Sequence, residues 1–109
     1  MNPQSIFTAG RWRVKPGREA DFISAWEAFA RWTSENISGA SRARLLQDRD
    51  QPGLFVSIGP WESLESVRTW RQTEEFREFV SRVRQLCESI EPHTLEQVTL
   101  VTRGGKAAA

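Results

Sequence analysis

Residues 6–30 read IFTAGRWRVKPGREADFISAWEAFA, and a change of hydrophobic period inside this stretch decides the fold class. From Ile6 to Lys15 the pattern alternates. Ile6, Thr8, Trp12 and Val14 share one parity; Phe7, Ala9, Arg11 and Arg13 share the other, as in a strand whose side chains point to opposite faces. Gly10, in the middle, lets a neighbour or a ligand approach the backbone closely. Pro16-Gly17 breaks the strand. From Arg18 to about Asn36 the period turns helical. Phe22, Trp26, Phe29, Ala30 and Thr33 fall on one apolar stripe, with Glu27 and Arg31 spaced as an ion pair on another face.

Ser38-Gly39 closes that helix. Ser41 to Asp50, with Ala43, Leu45 and Leu46 among several arginines, reads as a second strand. Asp50-Gln51-Pro52-Gly53 is a turn, and Leu54 to Trp61, with Phe55, Val56 and Ile58, completes a hairpin. Ser63 is placed to cap a short helix marked by Leu64, Val67 and Trp70. Thr73 is placed to cap a longer one, with Glu74 and Glu75 where the helix dipole favours negative charge. Its apolar face runs through Phe76, Phe79, Val80, Val83, Leu86, Cys87 and Ile90 until Pro92 stops it. Thr94 to Thr102 alternates again as a last strand, with Val98 and Leu100 on one side and Thr99 and Val101 on the other. Strand, helix, strand, strand, helix pair, strand is the βαββαβ order of a ferredoxin-like α+β fold with an antiparallel sheet. Residues 1–103 form one domain without repeat or linker, and 104–109 form a small-residue tail expected to be disordered.

Composition narrows the function classes. The 109 residues are 39% hydrophobic and 27% charged, as in ordinary globular proteins. Lys and Arg number 15 against 14 Asp and Glu, a balance without the basic footprint of a nucleic-acid binder. No apolar run approaches the roughly 18 residues of a membrane span, and the N-terminus lacks the layout of a secretory signal. With Cys87 alone there is no intrachain disulfide. A cytoplasmic protein is expected. Five Trp, six Phe and no Tyr make flat apolar contact abundant and remove one common proton-handling group.

Helices can cover only one face of such a sheet. Phe7 and Ala9, part of the set Leu45, Leu46, Phe55, Val56 and Ile58, and one parity of the last strand remain for the other. An exposed apolar sheet face marks an association surface, and two such sheets packed face to face give a twofold homodimer.

Several segments carry a family resemblance: Trp12-Arg13-Val14-Lys15-Pro16-Gly17-Arg18-Glu19-Ala20-Asp21-Phe22, Leu45-Leu46-Gln47-Asp48, Trp61-Glu62-Ser63, and Trp70 followed by Phe76. In this order and spacing they resemble the antibiotic biosynthesis monooxygenase family, over roughly residues 6–101. The resemblance implies a dimeric α/β barrel with a pocket between sheet and helices in each subunit. It implies cofactor-independent oxygenation of a flat aromatic substrate (a phenol, quinol or polyketide-like ring system), with no cofactor; His93 is the only histidine and no Cys/His spacing points to a metal site. Haem-degrading members are the exception, and Trp70 matches their pocket Trp. Their haem-ligating His corresponds to Val80 and their pocket Asn to Gly10. Val80 cannot ligate iron, which argues against haem degradation here. The Asn and Tyr of the cofactor-free oxygenases find no counterpart either, so a non-catalytic ligand-binding or accessory dimer stands as the alternative.

Trp70 is the candidate catalytic residue, stacking on a flat substrate and offering its indole N–H. Gly10, Trp12, Trp26, Phe29 and Val80 are the candidate substrate-binding residues. For each aromatic the competing reading is plain core packing. Arg42, Arg44 and Arg49, with Arg11 and Arg13, are either a basic lining able to grip a phenolate or carboxylate or a solvated face. His93, after Pro92 at a corner, and Cys87, on an apolar helix face, are read as structural. Glu78 and Arg82 read as a helix pair.

Overall fold

The alternation in the first stretch does build a strand, β1 (Ile6–Val14), and the helical stripe after it builds α1 (Glu19–Asn36). The structure is a computed structural model and describes residues 5–104. Between the two elements Arg18 N–H donates to the Lys15 carbonyl at 3.0 Å, and Gly17 takes a φ of +85°, a left-handed conformation open to glycine at little cost. The hairpin follows as β2 (Arg44–Gln47) and β3 (Leu54–Trp61), then α2 (Leu64–Arg71), α3 (Glu74–Leu86) and β4 (Cys87–Glu96). The four strands pair antiparallel in the order β2-β3-β1-β4, the ferredoxin-like α+β arrangement.

Both expected helix caps are present. Ser63 Oγ accepts from Ser66 N–H at 3.1 Å, and Thr73 Oγ1 accepts from Phe76 N–H at 3.1 Å. Glu27 and Arg31 pair at 3.0 Å as their spacing implies. Glu78 and Arg82 do not pair; both are exposed.

Three elements differ in their bounds from the sequence reading. The second strand is much shorter than Ser41–Asp50. Asp48 Oδ1 accepts from the N–H groups of Asp50 (2.8 Å) and Gln51 (2.9 Å), so the turn begins at Asp48 and ends the strand. The longer helix ends at Leu86, not Ile90, and the last strand begins at Cys87, not Thr94. The cause is a bulge. Val14 faces Cys87 while the adjacent Arg13 faces Ser89, so one extra residue enters β4. Cys87 and Ile90, three apart, therefore both face the helices, a spacing that imitates a helical stripe. Pro92 does not stop a helix; it sits within β4, an edge strand, where a missing N–H is tolerated. Of the expected Thr94–Thr102 strand, only Thr94 to Glu96 belongs to β4. Gln97 N–H reaches the Ser5 carbonyl at 2.6 Å, and beyond it Val98 and Val101 stand 92% and 87% exposed. The tail at 104–109 lies outside the described residues except for Gly104.

The core joins the inner sheet face to the helices through Trp12, Val14, Phe22, Phe55, Phe79, Val83, Leu86 and Cys87. Phe22 and Val83 are fully buried; each such side chain contributes about 1.5–3 kcal/mol. The strand register puts Leu45 and Phe55 on this inner face, whereas Leu46, Val56 and Ile58 lie on the outer one with Phe7 and Ala9. The outer face is apolar and open: Leu46 is 52% exposed, Leu95 46% and Val56 41%.

Candidate functional site

A cavity of about 690 Å³ lies between the inner sheet face and the three helices. Thr8, Gly10 and Trp12 of β1 and Ser57, Gly59 and Trp61 of β3 form its floor. From α1 come Trp26, Phe29 and Thr33, from α2 Trp70 and Arg71, and from α3 Phe76, Phe79, Val80 and Arg84. The six residues singled out from the sequence, Trp70, Gly10, Trp12, Trp26, Phe29 and Val80, thus stand on the walls of one hollow.

Phe29 organises the aromatic wall. Its ring stacks on Phe79 at 4.3 Å between centroids and on Trp70 at 5.7 Å. Trp70 lies against Trp61 at 4.9 Å and meets Phe76 edge-on at 4.7 Å. Such pairs add about 0.5–1.5 kcal/mol beyond area burial.

The indole N–H groups are mostly committed within the protein. Trp12 Nε1 donates to Ser57 Oγ at 2.9 Å, Trp61 Nε1 to Thr8 Oγ1 at 2.8 Å, and Trp70 Nε1 to Thr33 Oγ1 at 3.0 Å. Each hydroxyl satisfies a donor that would otherwise be costly to enclose. Trp70 therefore presents a ring face, and its N–H is already engaged. Trp26 differs. It is half-buried on the cavity wall, and among the described residues its indole has neither a hydrogen-bond acceptor nor a ring partner. Gly10 admits a protein neighbour at its open face. A Cβ there would stand 2.7 Å from Trp12 Nε1, so the Trp12 indole occupies the space that glycine leaves.

The charged lining is sparse and mostly basic. Of the arginines considered from the sequence, only Arg42 reaches the cavity; Arg71 and Arg84, which the strand pattern did not single out, also line it. Burial lowers the pKa of Arg71, although a guanidinium stays charged at neutral pH. Arg11 instead lies 3.9 Å from Glu91, and Arg44 pairs in register with Ile58, on the outer face. Glu88 is the one carboxylate of the lining and is exposed. His93 pairs in register with Ala9 on the outer face, in mid-strand rather than at a corner, and does not line the cavity. Cys87 lies in β4 rather than on a helix and does line it; burial pushes its thiol up to about 11, with Lys15 pulling weakly the other way. No group of three or more His, Cys, Asp or Glu able to hold a metal occurs among the described residues, nor any helix long and apolar enough to cross a membrane.

Comparison with known proteins agrees with this architecture. The family model for antibiotic biosynthesis monooxygenase matches residues 5–82. Among solved structures, a point mutant of SnoaB, a cofactor-independent oxygenase from Streptomyces nogalater, is 22% identical; the match covers 88% of this chain and 95% of that one, with a TM-score of 0.80. An antibiotic biosynthesis monooxygenase candidate from Bordetella bronchiseptica is 25% identical over 86% of this chain and 97% of its own, with a TM-score of 0.73. A conserved protein from Methanosarcina mazei reaches 0.78 at 14% identity, covering 87% of this chain and 94% of its own. Comparison with curated proteins gives no match.

Proposed function

The chain belongs to the antibiotic biosynthesis monooxygenase family, and from that premise we propose that it is a cofactor-independent monooxygenase of a flat aromatic phenol, quinol or polyketide-like substrate. The observation that carries this reading is the aromatic-walled cavity of about 690 Å³, large enough for several fused rings, with arginines along its wall. The kinship of fold with SnoaB points the same way.

The chemistry rests on the substrate. A phenolic or anthrone-type compound ionises more readily beside a guanidinium, because the cation stabilises the anion. Arg42, on the cavity wall, supplies that charge. The electron-rich anion reduces dioxygen directly. For a ring methylene the balance is CH2 plus O2 giving C=O plus H2O: the carbon loses four electrons, one oxygen atom enters the product, and the other leaves as water. The protein's part is to hold the ring against Phe29 and Trp70, exclude water, and stabilise the oxyanion. Trp26 takes the donor role first expected of Trp70, since its N–H is uncommitted. Gly10, Trp12 and Val80 shape the floor and the α3 wall.

In this reading the working unit is a homodimer, closed through the outer sheet face where Leu46, Val56 and Leu95 are exposed. The protein works in the cytoplasm on a small molecule, without nucleic acid or membrane.

Oxygen uptake with anthrone- and hydroquinone-type compounds tests the activity, comparing wild type with Trp70→Phe and Trp26→Phe. Turnover that falls at least tenfold in Trp26→Phe supports the proposal. A panel on which the wild type consumes no oxygen above the uncatalysed rate rejects it. The second reading, a non-catalytic ligand-binding dimer, is favoured by one observation: Glu88, exposed, is the only carboxylate on the wall, and His93 lies outside it. That reading predicts ligand-induced thermal stabilisation without oxygen consumption.

A further inference from the structure

Two hollows share a wall. Beside the aromatic cavity lies a smaller depression of about 300 Å³, and Arg71, Phe76, Val80 and Arg84 line both. Arg77 and Ser81 complete the smaller one, so three of its six lining residues are arginines and none is acidic. Arg71 ends α2, and Arg77 and Arg84 lie two turns apart on α3. Among the described residues neither Arg71 nor Arg84 forms an ion pair or a side-chain hydrogen bond.

Unpaired arginines are common on this surface; Arg68 and Arg82 are further examples, exposed as Arg77 and Arg84 are, but neither lines a hollow, and Arg77 Nη2 donates to the Gln72 carbonyl at 3.5 Å. Arg71 is only half-exposed, and it is the arginine whose pKa burial lowers. A cation partly stripped of water and left without a carboxylate is unfavourable unless an anion arrives. The only acidic residue on either wall is Glu88, at the β4 side of the larger cavity, and it pairs with none of the arginines.

We infer that the ligand is an aromatic acid: its fused rings occupy the larger cavity, and a carboxylate-bearing arm passes Phe76 and Val80 into the smaller hollow, where Arg71, Arg77 and Arg84 receive it. This rests on the reading above that the cavity takes a flat aromatic. A guanidinium matches a carboxylate in a two-pronged contact, and the second hollow has room for a short side arm. The arginines thereby select which aromatic enters and fix its orientation, leaving the reacting ring carbon against the Phe29–Trp70 wall.

The test is a binding measurement without oxygen. Anthraquinone-2-carboxylate and its neutral counterpart, 2-hydroxymethylanthraquinone, are titrated anaerobically against the protein by tryptophan fluorescence quenching. The acid is expected to bind at least tenfold more tightly than the alcohol. Arg71→Gln and Arg84→Gln are each expected to reduce that ratio to below threefold while leaving the Kd of the alcohol unchanged, and Arg82→Gln to leave the ratio intact. Equal affinities in the wild type, a preference that survives both substitutions, or failure of the acid to bind overturns the inference. The measurement involves no turnover. A protein inert in oxygen uptake can still show the preference, and an active one can lack it, so the two proposals fail separately.

Discussion

The indole of Trp12 lies across the backbone of Gly10, so close that a Cβ at Gly10 would stand 2.7 Å from its Nε1 and 2.8 Å from its Cε2. The same indole N–H is held by Ser57 Oγ at 2.9 Å from the neighbouring strand. Glycine, tryptophan and serine thus act as one unit: the first makes room, the second fills it, the third satisfies the donor. Gly10→Ala forces the ring away and is expected to destabilise the fold by about 1–3 kcal/mol. Ser57→Ala leaves the Trp12 donor without an acceptor and is expected to cost about 1–3 kcal/mol. The two losses should not add, because the displaced ring has already left Ser57. Urea denaturation of both single variants and the double variant checks this; strict additivity would contradict the coupling.

Trp70 and Trp26 should separate stability from activity. Trp70 touches Phe29, Trp61 and Phe76 and donates to the buried Thr33. Trp70→Phe therefore strands that hydroxyl and is expected to lower stability by about 1–2 kcal/mol. Trp26 has no such partners among the described residues. Trp26→Phe should change stability by less than about 1 kcal/mol, near the range of substitutions that break no named contact, while depressing turnover. Thermal melts beside oxygen uptake distinguish the two; a Trp26→Phe protein with full activity removes its N–H from the mechanism.

Cys87 offers a pH readout. Its folded-state pKa is about 11 against an ordinary value of 9.0, chiefly through burial. Between these values the unfolded chain releases a proton that the folded chain keeps. Stability is therefore whole below pH 9.0 and declines as pH rises towards 11. Urea midpoints from pH 8 to 10.5 should fall more steeply for the wild type than for Cys87→Ala. At pH 8 the thiol should resist iodoacetamide in the native protein and react on unfolding. Rapid native alkylation would show that the cavity wall leaves the sulfur open.

The outer sheet face makes a prediction about assembly. Val56 stands in register between Arg11 on one side and Leu46 on the other, at the centre of the apolar face. Val56→Asp places a charge where the proposed homodimer would bury it, a penalty of several kcal/mol. The wild type is expected to sediment as a dimer at micromolar concentration and the variant as single subunits with an unchanged far-ultraviolet spectrum. A wild type that sediments as one subunit removes the dimer.

Local rules made much of the chain legible in advance. Period marked β1 and α1, because alternation and the helical repeat are properties of neighbouring residues, and the turn residues 50–53 between two apolar runs marked the hairpin. The caps at Ser63 and Thr73 act over three residues and were equally readable. The end of α3 was not, since the bulge at Val14 and Cys87 turns a strand face into three-residue spacing. Turn chemistry at Asp48 likewise cut β2 short by hydrogen bonds that a count of apolar residues does not see.

The primary sequence by itself determined the order of elements and the aromatic stock of the cavity. Folding alone decided which indole N–H groups are used up inside the protein and which arginines reach the cavity. Trp70 meets Thr33 across 37 residues and Trp61 meets Thr8 across 53. Side chains so far apart along the chain come together only when helices settle on a sheet, and that packing assigns each donor and each charge its partner or leaves it without one.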